Sequence, residues 1–576
     1  IEKLVPMKNV DRGYWRAQVD DLGPGSRYLY RINDEHDKPD PVSFYQPDGV
    51  HEASEIIDHG KYRWEDISWK GHKLEEMIFY ETHIGTFTPG GTFELAVERL
   101  DYLIDLGINT LEIMPVAQFP GARNWGYDGA YLFAVQNSYG GPDGLKYLVN
   151  ECHKRGIAVC LDVVYNHLGP EGNYVSQYCP YFTDKYHTPW GAAVNFDDAY
   201  SDGVRNFVIQ NALYWFEHFH IDVLRLDAIH GIFDMGAKHI LKEMAEEVDE
   251  FCRKQGRRHF MIAESDLNDV RIIQPWAEGG YGIDAQWSDD FHHAVHTLLT
   301  GEDRGYYADF GKIDQLVKAI EEGFVYSWDY SKYRKRMHGS SSVSMPAEQF
   351  VVFIQNHDQV GNRMLGERLS PLVSFEAYKL AAGLMFTSPY VPLLFMGEEY
   401  GEDNPFLYFV SHLDEGLINA VREGRKREFK AFGWDREPPD PQSEETFKKS
   451  MPDFRKAEKG TYSAMLDYYK TLIKLRKENP ALATLEKTSC DVWREKALPI
   501  IVMIRQALRQ SILTVSNISE NRNSFMIPEK VKRLNLQVDS YDEKWNGPGS
   551  KVSKNYDPGD EIKLEPYQFL IFESKV

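Results

Sequence analysis

Cysteine is scarce in this chain: Cys152, Cys160, Cys179, Cys252 and Cys490 are the only five among 576 residues, odd in number and widely spaced. That spacing excludes a disulfide framework and offers no metal-ligand pattern. A reducing cytoplasm is the expected home. Long hydrophobic runs are absent too. No stretch approaches the ~18 consecutive apolar residues of a membrane span, and none has the layout of a signal peptide. The chain starts at Ile1, inside what reads as a strand, so upstream residues are expected. Positive charge is in short supply: 65 Lys and Arg stand against 88 Asp and Glu, a formal net charge of -23. A polyanion such as DNA would be repelled by that field, and no Lys/Arg tract offsets it. There is no H-E-x-x-H motif, no internal repeat and no low-complexity tract.

What the chain does have is aromatic surface. Phe, Trp and Tyr make up 13% of the residues, with 34 Tyr and 12 Trp. Core packing accounts for rings of this kind, and so does a sugar-binding surface, where flat rings stack on pyranose faces. The chain is too long for one compact core, so two or three domains are expected.

Residues 1–65 alternate in a β-rich pattern broken by turn signals, as in GYWRAQV and SRYLYRI. They read as an incomplete N-terminal β-sandwich. From about residue 77 the pattern changes to apolar strands alternating with amphipathic helices. MIFYE, INTLEIMPV, IAVCLDVVYNH, IDVLRLDA, RRHFMIAES, IDAQW, QFVVFIQNHD and YVPLLFM read as eight strands, with helices over 93–107, 142–156 and 203–219 among those between them. Near-continuous apolar strands alternating with helices indicate a parallel sheet covered on both faces. Eight of them predict an α/β fold, a (β/α)8 TIM barrel over 66–485. An inserted loop subdomain is expected at 168–202, after the third strand, and a C-terminal β-sandwich over 486–576.

Active sites of such barrels sit at the C-terminal ends of the strands. There the sequence places Asp162, Asn166 and His167 after strand three, and Arg225 and Asp227 on strand four. Glu264 follows strand five, and Asn356, His357 and Asp358 follow strand seven. An Asp at a strand end is often only a helix cap, but coincidence at four strand ends is a poor explanation. Glycoside cleavage needs two carboxyls flanking one bond, one ionised and one protonated. Arg225, two residues before Asp227, favours the charged carboxylate that a nucleophile needs. Glu264 follows the apolar run FMIA, where desolvation and neighbouring aspartates raise its pKa, as suits an acid. Asp358 is a third carboxylate able to bind sugar hydroxyls.

The segments DVVYNH (162–167), LRLDAIH (224–230), AES (263–265) and FIQNHD (353–358) resemble the conserved segments of the α-amylase superfamily. The resemblance implies a retaining double displacement. Asp227 would be nucleophile, Glu264 general acid/base and Asp358 transition-state stabiliser. Arg225, His167 and His357 would line the subsite of the attacked glucose. In WGYDGAY (125–131), Tyr127 would stack on that glucose with Asp128 beside it. Longer stretches, WSDDFHHAVHTLLTGE (287–302), LLFMGEEYGEDNPFLYFVSH (393–412), REGRKREF (422–429), PPDPQ (438–442) and WNGPG (545–549), look like the trehalohydrolase branch of that superfamily. That branch cuts the α-1,4 bond joining a maltooligosaccharide to a terminal trehalose. The expected partners are this substrate, the trehalose product and a synthase acting earlier in the pathway with no required contact. Neither nucleic acid nor a membrane is implied. Val223-Leu224 stands where Gly-Phe is more usual before the arginine.

Many α-amylases bind calcium through the asparagine of the third-strand segment. Asn166 is present, but the inserted loop does not resemble a calcium-binding one, so no metal and no cofactor are expected. His230, in the LDAIH segment, is a further candidate substrate-binding residue, and the candidate readers of trehalose are the aromatic and acidic loop residues Tyr174, Trp190, Trp287, Asp289 and Asp290. The nearest alternative is a 1,4-α-glucan branching enzyme, against which the LDAIH and WSDDFHH segments speak. A general α-amylase-type hydrolase is a second. A non-catalytic glycan-binding module on the same fold would typically have lost a carboxylate, and all three are present.

Overall fold

The computed structural model describes residues 3–431, 437–496 and 498–575. Of the REGRKREF motif, the side chains of residues 428 and 429 lie outside the described residues.

The eight apolar runs form a closed parallel barrel. Its strands are β1 (Phe79–Thr82), β2 (Thr110–Ile113), β3 (Ala158–Val163), β4 (Val223–Leu226), β5 (Phe260–Ala263), β6 (Ala285–Trp287), β7 (Phe350–Val352) and β8 (Val391–Phe395). They neighbour one another in chain order, and β8 pairs with β1 to close the ring. Nearly every residue on them is buried, because the barrel interior packs one face and the helices pack the other.

The helices follow the start and stop signals of the sequence. The helix Gly141–Lys154 carries Pro142 in its first turn, where the missing N–H costs nothing. The helix predicted over 93–107 is two: Phe93–Val97, capped by the Thr92 hydroxyl, and Leu100–Leu106, stopped by Gly107 at φ 101°. Of Leu95, Leu100, Leu103 and Leu106, which the sequence puts near one face, the last three are buried and Leu95 is half-buried.

The inserted loop after β3 folds into an antiparallel hairpin, Phe182–Thr188 with Gly191–Val194. Ahead of the barrel, the stretch expected as an incomplete sandwich forms three short antiparallel pairs. Behind it, residues from Cys490 onward build a six-stranded antiparallel sheet. Along its strand Ile500–Ala507, side chains alternate faces. Ile500, Val502 and Ile504 pack with Phe525, Ile527 and Ile562 of the second layer, whereas Ile501 and Met503 join the core of the barrel. The sandwich is therefore fused to the barrel through shared apolar packing.

Candidate active site

Asp162 on β3 lies beside Arg225 on β4 in the sheet register, and Leu226 lies beside Ala263 on β5. Asp227 and Glu264 are thus the next residues along adjacent strands. Each continues the ladder by one bond, Asp227 N–H to Val163 O at 3.0 Å and Glu264 N–H to Leu226 O at 2.9 Å. The backbone pairing of the barrel itself sets the two carboxyls side by side.

Arg225 is wholly buried and sits at the centre. Its Nη1 donates to Asp162 Oδ2 and to Asp227 Oδ1, both at 2.8 Å, and Nη2 lies 3.6 Å from Glu264 Oε2. Its plane rests 4.3 Å from the ring centre of Trp287. One guanidinium thus neutralises carboxylates from three strands, which is how the fold tolerates so much buried charge.

Glu264 Oε2 accepts the Ala228 N–H at 2.5 Å. Ala228 adopts the left-handed conformation, φ 41°, rarely taken by a residue with a side chain. That turn aims its N–H at the acid from the residue next to Asp227. Burial raises the pKa of Glu264, with Asp227 and Asp358 adding to it and Arg225 opposing.

Asp358 has no capping duty, because Asn356 takes it. The Asn356 side chain accepts the N–H groups of Asp358 and Gln359 at 2.9 and 3.2 Å and starts the helix His357–Gly361. The Asp358 side chain is 39% exposed and faces the mouth. Tyr127 donates to Asp162 at 2.7 Å and stacks on His357 with ring centres 5.3 Å apart. Asp128 accepts from Asn124 at 2.6 Å, and His167 contacts the Tyr127 carbonyl at 3.0 Å.

Trp190 sits at the tip of the inserted hairpin. It stacks flat on His167, at 5.4 Å and 7°, and lies 6.0 Å from His230. At 43% exposure it leaves indole surface open beside the site. Gly231 makes room for it: a Cβ there would lie 2.7 Å from the Trp190 ring. Gly231→Ala is expected to displace the indole and raise KM while leaving the fold intact, which steady-state kinetics and circular dichroism together would check.

Three of the suggested sugar readers have other work. Trp287 is 1% exposed and forms the floor under Arg225, so it offers no face to a sugar. Trp287→Ala is therefore expected to cost about 3–5 kcal/mol of stability and to impair all glucan substrates alike; a selective loss on one of them would contradict this. Asp290 is buried and accepts from Asn268 at 2.7 Å and from the N–H groups of Val325 and Tyr326 at 2.6 and 3.2 Å. It ties the segment after Gly323 to its helix. Tyr174 bonds His51 at 2.6 Å, and Lys38 covers its ring at 4.2 Å. The neighbouring Asp289 does remain at the mouth. It accepts from Gln359 at 3.1 Å, and burial plus the charges of Glu264 and Asp358 hold its pKa far above the usual range.

Sequence reasoning missed the layer beneath. Glu81, at the end of β1, grips His357 through both the ring Nδ1 and the backbone N–H, the latter at 2.9 Å. Burial works to discharge His357, but Glu81 and Asp358 outweigh it and hold its pKa up at about 9. Glu112 lies next to Glu81 in register, with both carboxyl oxygens buried and unpartnered. Burial, aided by Glu81 and Asp162, holds its pKa well above 4.5. The folded state therefore keeps a proton that the unfolded chain releases, so stability from Glu112 is present at low pH and lost as pH rises. Glu112→Gln is expected to raise Tm at pH 8, by roughly 2–4 °C per kcal/mol recovered, with the gain shrinking towards pH 5. The isolated carboxylates ending MIFYE and INTLE were the available signals.

His218 and His220 make an H-x-H pair, but it lies away from the mouth. His218 stacks on His59 at 4.5 Å, and His220 stacks on Trp64 and bonds Asp66. Among the described residues no group of three or more His, Cys, Asp or Glu is placed to hold a metal ion.

Comparisons with known proteins show the family. The α-amylase catalytic-domain model matches residues 41–190 and 198–484. The malto-oligosyltrehalose trehalohydrolase of Saccharolobus solfataricus is 52% identical over 475 residues, covering 82% of both chains. That of Rhizobium sp. is 45% identical over 480 residues, covering 82% of this chain and 80% of its own. The crystal structure of a Salmonella typhimurium protein superposes with a TM-score of 0.88 at 35% identity, covering 99% of this chain and 94% of its own. The chain belongs to the α-amylase family, among its malto-oligosyltrehalose trehalohydrolases.

Proposed function

We propose that this enzyme hydrolyses the α-1,4 bond between a maltooligosaccharide and a terminal trehalose, by a retaining double displacement. The observation that carries the reading is the pairing of Asp227 and Glu264 around Arg225, with Glu264 held by the Ala228 N–H. Asp227, fixed by the guanidinium, attacks the anomeric carbon and forms a glycosyl-enzyme ester. Glu264 Oε1 gives its proton to the departing 4-oxygen, and trehalose leaves. Glu264, now a carboxylate, takes a proton from water, which attacks the same carbon and frees Asp227. Asp358 binds hydroxyls of the distorted ring, and Tyr127 and His357 support it. The names of the relatives support trehalose as the leaving group, and the open Trp190 face beside His230 suits a bent, hydroxyl-rich disaccharide. The substrate would come from an enzyme that caps maltodextrins with trehalose, with no contact between the two. A cytoplasmic setting fits the cysteine usage, and no helix among the described residues is long and apolar enough to cross a membrane.

The test is kinetic. The ratio kcat/KM for maltotetraosyl-trehalose is expected to exceed that for maltohexaose by at least about 100-fold, nearly 3 kcal/mol of discrimination. Trp190→Ala should raise KM for the capped substrate about 10-fold, worth roughly 1.4 kcal/mol, with little change on maltohexaose. Equal rates on both substrates would mean a general α-amylase-type hydrolase. Branched products without new reducing ends would mean that the glycosyl group passes to a sugar 6-hydroxyl, as in a branching enzyme.

A further inference from the structure

The hydrogen-bond directions around His357 fix more than its position. Tyr127 has one hydroxyl hydrogen, and it goes to Asp162 Oδ2, which already accepts from Arg225. With Asp162 ionised beside Arg225, the imidazole is the donor at the 2.7 Å contact between Tyr127 Oη and His357 Nε2. On the other side of the ring, Nδ1 meets the Glu81 carboxylate, which also accepts the His357 N–H. A carboxylate accepts and does not donate. Both ring nitrogens then carry hydrogen, and the ring is an imidazolium.

We propose that Glu81 is a positioning residue that keeps His357 a cation, so that its Nε2–H points at Tyr127 and at the carboxylate of Asp358. Nε2 lies 3.4 Å from Asp358 Oδ1. The site then holds two fixed cations, Arg225 beneath Asp227 and His357 beneath Asp358, each anchored by a carboxylate of the barrel interior. The groups facing His357 are Glu81 on β1, Glu112 on β2, Asp162 on β3, Arg225 on β4, Tyr127, His83 and its own neighbour Asp358. Of these, only Glu81 holds both the ring and the backbone of residue 357. The direction in which His357 is shifted agrees with this arrangement. A cation there orders the Asp358 carboxylate.

The test is titration of the histidine ring by NMR, on protein carrying 13C at His Cε1, with His357 assigned by the resonance lost in His357→Asn. In the parent enzyme His357 is expected to stay charged through neutral pH. In Glu81→Gln its midpoint should fall by about one to three pH units. A parent His357 that titrates near the ordinary 6.5, or a midpoint unmoved by Glu81→Gln, overturns the proposal. The parent titration decides the matter even where the variant fails to fold. A kinetic cycle adds a second reading, and only this arm rests on the glycosidase assignment. If Glu81 acts through His357, then Glu81→Gln in the His357→Asn background should change kcat by less than about two-fold, whereas it lowers kcat at least ten-fold alone. Fully additive losses would show a merely structural role.

Discussion

Glu264→Gln is expected to lower kcat on maltotetraosyl-trehalose by about 1,000-fold or more, while the protein stays folded and still binds substrate. The amide keeps the shape of the carboxyl and can still accept the Ala228 N–H, whose 2.5 Å bond fixes the side chain. It has no proton to give the leaving oxygen. The deficit should therefore depend on the leaving group. An aryl or fluoride leaving group needs no proton, so cleavage of such a glycoside should be restored nearly to the parent rate in its first step. A Glu264→Gln variant equally slow on all leaving groups would move the acid role to another residue. Asp227→Ala should be inactive on every substrate, because the displaced atom is then the nucleophile itself.

The second large effect falls on Arg225. Arg225→Met removes the one cation shared by Asp162, Asp227 and Glu264. Breaking a buried ion pair from one side costs about 3–5 kcal/mol, because the partner charges remain. Here the loss is partly relieved by proton uptake: burial already holds Asp162 at about 7, and without the guanidinium its pKa rises further. A group whose folded pKa is raised stabilises below its unfolded value and loses that contribution as pH rises through the folded one. The variant should thus be less destabilised at pH 5 than at pH 8, and inactive at both, since Asp227 has then lost the guanidinium that fixes it. Denaturant melts at the two pH values would check this; equal destabilisation at both would contradict it. Arg225→Lys should recover part of the stability and little of the activity, because one ammonium cannot bridge two carboxylates as the fork does.

The barrel was legible because its eight strands are mostly apolar and alternate with helices, a pattern with few other physical solutions. The candidate carboxyls could be picked out for the same reason: charge at the end of an apolar strand needs a pocket. The helix over 93–107 was read as one because Leu spacing survives a break at Glu98 and Arg99 that only backbone geometry reveals. The sugar readers were harder. Trp287 and Trp190 look alike in the sequence, yet one is sealed beneath Arg225 and the other stands on a hairpin tip. Asp289 and Asp290 are adjacent on a helix and point to different surroundings, one to the mouth and one to the backbone of 325–326. Their helix also explains the run of histidines in WSDDFHH. His292 bonds the Ile354 carbonyl and Tyr307, and His296 bonds Glu302, which Arg363 clamps with two 2.8 Å bonds. Burial lowers the pKa of His292 and of His296, and their bonds tie the loops around the site together. Glu81 escaped notice because its meaning lies in a partner 276 positions away.

One measurement bears on the central claim most directly: proton NMR of the first minutes of reaction on maltotetraosyl-trehalose, before the new reducing end mutarotates. The account predicts the symmetric anomeric signal of free trehalose and, in equal amount, the α-anomer of maltotetraose. A β-anomer would contradict the double displacement through Asp227. Glucose or maltose appearing in place of trehalose would contradict the assignment of the scissile bond.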